Sequence, residues 1–563
     1  MKIFDFKPKL YTTLKNYSKE TFLSDLMAGI IVGIVALPLA IAFGIASGVS
    51  PEKGMITAII AGFIISLLGG SKVQIGGPTG AFIVIVYGII QQYGEKGLIV
   101  ATIMAGVFLI LLGVFKLGTI IKYIPYPIVV GFTSGIAVTI FTTQIKDLFG
   151  LSIGAVPADF FSKWSAYFQN FSTVNLWSAI VGILSILIII YTPKLSKKIP
   201  GSLIAIILMT VLAYILKTYA GVNSIETIGD RFTINASLPQ AIFPVMSWGV
   251  IKGLFPAAIT IAVLGAIESL LSATVADGVT GDKHNSNQEL MALGVANLVT
   301  PLFGGIPATG AIARTMTNIN NGGKTPVAGL IHAVTLLLIL VCLGPLTKHI
   351  PMSCLAGVLV IVSYNMSEWR TFRALLKNPK SDVSVLLITF LLTVIFDLTV
   401  AIEVGIVIAC LLFMKRVAET TNISIITDEI DPNTEFDTAH EEHLIVPEGV
   451  EVYEINGPYF FGIANKFEEQ MVQLDDHPKI RIIRMRKVPF IDSTGIHNLT
   501  NLCRMSRMEN VQIILSGVNE KVQGVLEKSG FNDLLGKENI CSHIDIALAR
   551  AEKLIKNSPI LSK

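Results

Sequence analysis

The sequence predicts a polytopic α-helical membrane protein of two seven-helix inverted repeats, ending in a cytoplasmic α/β domain. Three observations predict it: an apolar composition, about fourteen hydrophobic segments, and a sequence match at one fixed offset between the two halves. Of 563 residues, 52% are hydrophobic and 15% charged, with a mean hydropathy of +0.67. Soluble domains carry about 25% charged residues, so most of this chain is solvated by lipid. A net charge of +3 is too small to point to nucleic acid. The five cysteines (Cys342, Cys354, Cys410, Cys503, Cys541) have neither metal spacing nor a paired framework, and no cofactor or metal is expected.

A spanning helix needs roughly 20 apolar residues. In the first half, spans are expected near 26–46, 54–70, 79–93, 97–115, 126–147, 175–192 and 201–217. In the second they are expected near 255–273, 286–303, 309–319, 325–345, 353–366, 382–397 and 399–414. Segments 79–93 and 309–319 are short for full spans. Lys2, Lys7, Lys9, Lys15 and Lys19 precede the first span and should keep the N-terminus in the cytoplasm rather than mark a removable signal. With that orientation the inner loops collect Lys194, Lys197, Lys198, Arg370, Arg373, Lys377 and Lys380, while the outer loops hold fewer basic residues. An even number of spans returns the chain to the cytoplasm, so a multi-pass plasma (inner) membrane protein with both termini inside is expected. The expected division is 1–24 cytoplasmic segment, 25–217 first repeat, 218–254 extracytoplasmic connection, 255–416 second repeat, 417–440 linker and 441–556 tail domain.

The two halves match at an offset of 230 residues. Ala46-Ser47-Gly48-Val49-Ser50-Pro51-Glu52-Lys53 aligns with Ala276-Asp277-Gly278-Val279-Thr280-Gly281-Asp282-Lys283, and Thr79-Gly80-Ala81 with Thr309-Gly310-Ala311. Seven spans per half is an odd number, so the second half is inverted. Inverted repeats characterise secondary transporters, whose substrate sites lie near the midplane where the repeats meet.

The two short segments open with Gly76-Gly77-Pro78-Thr79-Gly80-Ala81-Phe82 and Gly304-Gly305-Ile306-Pro307-Ala308-Thr309-Gly310-Ala311. Gly and Pro interrupt the preceding chain, and Thr is suited to cap the amides that follow. Two half-helices starting inside the membrane would aim free N–H groups and positive dipole ends at one point, which suits an anion. The alternative is that the small residues only permit tight packing.

Arg314 lies about one turn into the second half-helix, where the first repeat has Val84, and Glu268 lies mid-span, where the first repeat has Pro38. Charges inside a membrane are costly and face a cavity or a partner. Arg314 therefore either attracts an anion or makes a structural contact with Glu268 or with backbone carbonyls. Glu268 either carries a proton or a sodium ion or belongs to that pair. Asp25 reads as a cap at the first helix start, and His332, on an apolar helix, as a satisfied structural histidine.

These residues carry a resemblance to the sulfate permease (SulP) family of anion transporters. It rests on Leu37-Pro38-Leu39-Ala40-Ile41-Ala42-Phe43, Gly77-Pro78-Thr79-Gly80-Ala81-Phe82, Ile267-Glu268-Ser269-Leu270-Leu271, Phe303–Arg314 and Asn365-Met366-Ser367-Glu368-Trp369. The resemblance implies core and gate domains moving as an elevator, and a homodimer. It implies a substrate pocket lined by Phe43, Thr79, Gly80, Ala81, Gly310, Ala311, Ala313 and Arg314, with Glu268 coupling the cation. Where the family often has serine before the arginine, this chain has Ala313. Sodium-coupled bicarbonate members tend to carry aspartate at the Glu268 position and lack the arginine, so the resemblance implies proton coupling. The second-half motifs are similar to those of bacterial members that carry C4-dicarboxylates. The expected function is proton-coupled symport of a small oxyanion, sulfate for instance, or of a dicarboxylate. A sodium-coupled bicarbonate carrier, an exchanger, a channel and an anion sensor are the alternatives.

After Lys415-Arg416 the composition becomes that of a soluble domain. Strands are expected at Glu451–Asn456, Ile480–Arg486 and Val511–Leu515, with helices near 463–474, 494–507 and 519–529. Pro489-Phe490-Ile491-Asp492-Ser493-Thr494-Gly495 resembles the motif of STAS domains, shared with anti-sigma-factor antagonists. The resemblance implies a phosphate-acceptor Ser493 or Thr494 and a cytoplasmic regulatory partner; the alternative is that Asp492 and Ser493 only cap the helix. The tail contains no P-loop, nucleophile triad or metal cluster, so no enzyme is expected.

Overall fold

The structure is a computed structural model that describes residues 6–119, 125–154, 156–157, 159–195, 200–232, 241, 244, 248–396, 398–426, 429–430, 444–462 and 478–557. The chain divides into two compact units, Met1–Ala409 and Cys410–Lys563.

In the first unit the long helices are α1 (Lys19–Ala46), α2 (Pro51–Leu68), α3 (Ile83–Val114), α4 (Tyr126–Phe149), α5 (Leu176–Leu195), α6 (Gly201–Tyr219) and α7 (Trp248–Thr280). They continue as α8 (Ser286–Val299), α9 (Ile312–Asn320), α10 (Pro326–Thr347), α11 (Met352–Met366) and α12 (Lys380–Ile395), while α13 (Leu398–Thr420) crosses the unit boundary. Among the described residues, eight helices are long and apolar enough to cross a membrane alone: α1 to α7 and α10. The expected third and fourth spans run together as α3, which breaks at Gly94, where φ is 66° and only glycine is at ease. The 14 residues of α8 and the nine of α9 are too few to span alone and lie sheathed by other helices.

The packing repeats the duplication. The later part of α3 lies along α8, and its counterpart in the other repeat, α10, lies along α2; α1 packs on α10 as α7 packs on α3. These helices form one group, and α4, α5, α6, α11 and α12 form a second, with α4 held between α11 and α12. Small residues permit close crossings: a Cβ on Gly106 would stand 2.8 Å from the Gly294 carbonyl, and one on Gly294 2.7 Å from that of Gly106.

Two expected boundaries shift. Within 218–254, α7 already begins at Trp248, and a short helix Ile228–Arg231 is tied by Ile228 N–H to the Ile350 carbonyl at 2.9 Å. Arg231 there also grips Asp147 (2.8 Å) and Glu226 (2.5 Å). Within 417–440, α13 runs on to Thr420 and Asn422–Ile426 forms a strand of the tail sheet.

Asp25 does not start the first helix; Ser18 does, accepting the Thr21 amide at 3.1 Å. Fully buried inside α1, Asp25 instead anchors the entry to α10, whose own cap is Thr325. It accepts the Lys324 amide at 2.7 Å, the Thr325 amide at 3.1 Å and hydroxyl at 2.5 Å, and the Tyr17 hydroxyl at 3.0 Å.

In the second unit, β3 (Asn422–Ile426), β4 (Val450–Asn456), β5 (Ile480–Arg484), β6 (Gln512–Ser516) and β7 (Ile540–Cys541) form one sheet in that order. The β3–β4 pair is antiparallel and the rest parallel. Alternating side chains divide between two cores: Tyr453, Ile455, Ile483 and Leu515 on one face, Val452, Ile482 and Ile514 on the other. The first core is covered by α14 (Ser493–Met508) and α15 (Glu520–Lys528), the second by α16 (Ile544–Asn557). The helix expected near 463–474 lies outside the described residues. Strands β3 and β7 and helix α16 were not expected from the sequence.

Replacing Asp25 by alanine strands three donors at the start of α10 in a buried place. The expected loss is on the order of 3 kcal/mol, visible as a lower thermal midpoint in detergent; an unchanged midpoint would contradict the anchoring role.

Candidate anion-binding site

Two glycine-rich segments cross inside the first unit as a minimal antiparallel pair, β1 (Gly76–Gly77) and β2 (Thr309–Gly310), distinct from the sheet of the tail. Gly76 pairs with Gly310 and Gly77 with Thr309, and the Ala311 N–H bonds the Ile75 carbonyl at 2.9 Å. Beyond the crossing one chain winds through a 3₁₀ turn, Gly80–Phe82, into α3, and the other enters α9 at Ile312. The two α-helices thus begin four and three residues later than the sequence suggests, at Ile83 and Ile312, since Thr79 and Thr309–Gly310 are extended.

Thr79 does not cap the amides as expected, and no side chain caps α9 either. Both threonines turn to α7 instead. Thr79 donates to Glu268 Oε2 at 2.8 Å, and Thr309 to the Gly265 carbonyl at 2.7 Å. Among the described residues, no side chain takes the first-turn amides of either half-helix.

Arg314 is 2% exposed. Its Nη2 donates to the Pro78 carbonyl at 3.1 Å, and Nη1 is buried with no hydrogen-bond partner. Among the described residues Arg314 and Glu268 form no ion pair, so of the structural contacts open to Arg314 the carbonyl one is made. The guanidinium fits because Gly77 has no side chain: with φ at 153°, a Cβ there would stand 2.1 Å from Nη1.

These groups meet at a cavity of about 970 Å³. Phe43, Thr79, Gly80, Glu268, Gly310, Ala311, Ala313 and Arg314 line it, whereas Ala81, fully buried, does not. The opposite wall comes from the second helix group: Thr133 of α4, Ser202 of α6, and Tyr364, Asn365 and Met366 of α11. Met366 presses closest, its Sδ 2.8 Å from where a Cβ on Gly80 would be.

The sequence reading missed Glu289, a second buried carboxylate. Its Oε2 accepts the Gly70 and Ser71 amides at 2.7 and 3.1 Å. The asymmetry that singled out Arg314 would have found it, because its repeat partner is Ile59. His332 is fully buried on α10, with the carbonyl of Gly329, three residues before it, as the backbone partner within reach of its ring. In the tail, Asp492 caps α14 through the Gly495 amide at 2.7 Å and also accepts the Phe461 amide at 3.1 Å. Ser493 is exposed beside it and Thr494 half-buried.

Paired helix groups around broken helices, with a cationic side chain at the break, define a membrane transporter of the inverted-repeat class. The Sulfate permease family profile matches residues 22–389, and the STAS domain profile residues 443–547. The chain belongs to the sulfate permease family, whose members are membrane anion transporters and not enzymes. It is 40% identical over 537 residues to the Bacillus subtilis protein named "Putative sulfate transporter YvdB", covering 94% of this chain and 98% of that one. It is 30% identical over 517 residues to the bicarbonate transporter BicA of Picosynechococcus, covering 90% of each. Its fold matches the structure of the murine Slc26a9 anion transporter in the inward-facing state with a TM-score of 0.87 at 19% identity, covering 98% of this chain and 94% of that chain.

Gly77→Ala should displace the guanidinium without removing its charge. Anion affinity is expected to fall by about tenfold or more, the loss of one charge-assisted contact, when measured by equilibrium binding to purified protein. Wild-type affinity would show that the position of Arg314 is not set by this contact.

Proposed function

We propose that the protein is a secondary active transporter that brings a small oxyanion or C4-dicarboxylate across the plasma membrane together with protons. The observation that carries this reading is the convergence of two uncapped half-helix N-termini, Arg314 and Glu268 on one cavity. In a water-poor site two dipole ends and a guanidinium attract an anion strongly. Glu268 then has a purpose: a carboxylate beside an anion repels it until a cation neutralises the charge, so anion and proton bind together.

The cavity lies between the two helix groups, which supports an elevator in which the group bearing the half-helices slides against the other. With the N-terminus inside, the walls reach Pro193, Gly201, Ser202 and Glu368, next to the lysine- and arginine-rich inner loops, so the conformation is open to the cytoplasm. The reading includes a homodimer and a tail that docks a regulatory protein near the exposed Ser493. Sodium-coupled bicarbonate transport is the second reading. It is favoured by the 30% identity to a bicarbonate transporter and by the oxygen pair that Glu268 and Thr79 present at 2.8 Å.

Radiolabelled sulfate, bicarbonate and succinate, offered to proteoliposomes under proton or sodium gradients, decide between the two. Glu268→Gln is expected to abolish gradient-driven uptake while anion binding survives; undiminished gradient-driven uptake would remove Glu268 from coupling. Arg314→Ala is expected to weaken binding by about tenfold or more, with the loss of a charge-assisted hydrogen bond. A variant ending after residue 440 should still bind anion, whereas a sensor that acts through its tail predicts no transport by the full chain.

A further inference from the structure

The chain ahead of α1 folds without a core of its own. It forms a five-residue helix, Lys9–Thr13, in which no side chain is buried, and then a 3₁₀ turn, Leu14–Asn16. A helix this short does not hold together in water by itself. Two bonds fix it to the helices behind: the Lys9 N–H donates to the Gly69 carbonyl at 2.9 Å, and the Lys7 N–H to Gln288 Oε1 at 3.0 Å. Its outward side is left to a partner.

That side mixes two kinds of side chain. Tyr11, 69% exposed, and Leu14 are large apolar groups open to the surroundings, as are Phe22 and Leu23 at the start of α1. Interleaved with them in residues 6–24 are Lys7, Lys9, Lys15 and Lys19, against the one carboxylate Glu20. Lys7, Lys15 and Lys19 are exposed, and the Lys15 ammonium lies 5.4 Å from the centre of the Tyr11 ring, so cation and aromatic share a side. Apolar groups alone would suit lipid tails or another protein. Lysines among them suit the layer where tails meet phosphates, and a lysine cluster beside a spanning helix is drawn to anionic headgroups. Tyrosine rings are enriched at the same depth.

We infer that residues 7–23 are a docking surface for anionic phospholipid, with the lysines on headgroup phosphates and Tyr11, Leu14, Phe22 and Leu23 among the upper ends of the tails. The surface belongs to the helix group that carries the half-helices. Gln288, which holds the Lys7 amide, also donates to the Leu68 carbonyl at 2.6 Å. From Gly69 the chain passes Gly70 and Ser71, both held by Glu289, to the crossing strand at Gly76. On the α1 side the Ser24 hydroxyl donates to the Gly322 carbonyl at 2.6 Å, just ahead of α10. A bound lipid thus braces the segment against α2, α8 and α10. The inference needs only that α1 spans the bilayer, and it is independent of the anion cavity and of the direction of transport.

The test uses purified full-length protein in neutral detergent, with phosphatidylglycerol and phosphatidylcholine as probes. Phosphatidylglycerol is expected to raise the thermal midpoint saturably and less so in high salt, and phosphatidylcholine to do far less. Lys7→Gln, Lys9→Gln, Lys15→Gln and Lys19→Gln together should lower the apparent phosphatidylglycerol affinity about a hundredfold or more, since each lysine near an anionic surface contributes about fivefold. Should that variant not fold, Lys15→Gln with Lys19→Gln, both exposed, is expected to lower it about twentyfold. A wild-type response in the variant measured, or an equal response to the two lipids, overturns the inference. Arg314→Ala should keep the response; its loss there would place the lipid in the anion cavity instead. In that same background glycerol phosphate should leave the midpoint unchanged, and a lysine-dependent rise would make the ligand a soluble phosphate and not a lipid. In vesicles, the fluorescence added by Tyr11→Trp should be quenched by brominated phosphatidylglycerol. Absence of quenching, or a response that follows protein concentration as docking of a second copy would, also refutes the lipid surface.

Discussion

Two chain segments abandon helical hydrogen bonding inside the membrane, and the rest of the first unit supplies the partners their backbones lose. In lipid an unpaired amide or carbonyl costs several kcal/mol, so irregular backbone survives only inside protein. The crossing strands satisfy part of this demand through Gly76–Gly310 and Gly77–Thr309. Side chains from the surrounding helices meet the remainder. Thr57 accepts the Ile306 amide at 2.8 Å, and Thr315 the Ile75 amide at 3.1 Å. Asn297 serves both groups of Ala308, at 2.9 and 2.8 Å, and Asn318 donates to the Val73 carbonyl at 2.9 Å. Glu289 holds the Gly70 and Ser71 amides. Most of the buried polar residues in these helices are thus scaffolding for a broken backbone.

That division of labour separates structural polarity from functional polarity. Groups that answer a backbone demand point inward to the crossing, while Thr79, Glu268 and the face of Arg314 reach the cavity. Thr79 joins the two roles. By bonding Glu268 rather than its own amides, it leaves the half-helix N-terminus open and joins the two repeats at the cavity wall. A proton or cation arriving at Glu268 would therefore act directly on a residue at the mouth of the half-helix.

Much of this was legible in the chain. The repeat offset exposed both half-helices, and its breaks at Arg314 and Glu268 picked out two charged residues of the cavity wall. What escaped was direction. Ala81 shares the motif with Thr79 and Gly80, yet one residue of rotation at the 3₁₀ turn buries it away from the cavity. Asp25 read as a local cap because helix starts favour aspartate, but its partners lie 299 and 300 residues away. In the tail, β7 was missed because two residues have no periodicity to read, and β3 because nothing punctuates its descent from α13.

By itself the sequence determined the solvent, the duplication and the residue types at the breaks. These follow from hydropathy and internal alignment, which are properties of order along the chain. Only the tertiary structure decided which groups meet: that Arg314 leans on the Pro78 carbonyl rather than on Glu268, and that Thr79 serves α7. The physical reason is that a hydrogen bond depends on ångström-scale distance and direction between residues far apart in sequence. Close packing of glycine-rich helices sets those distances, and a one-dimensional pattern does not contain them.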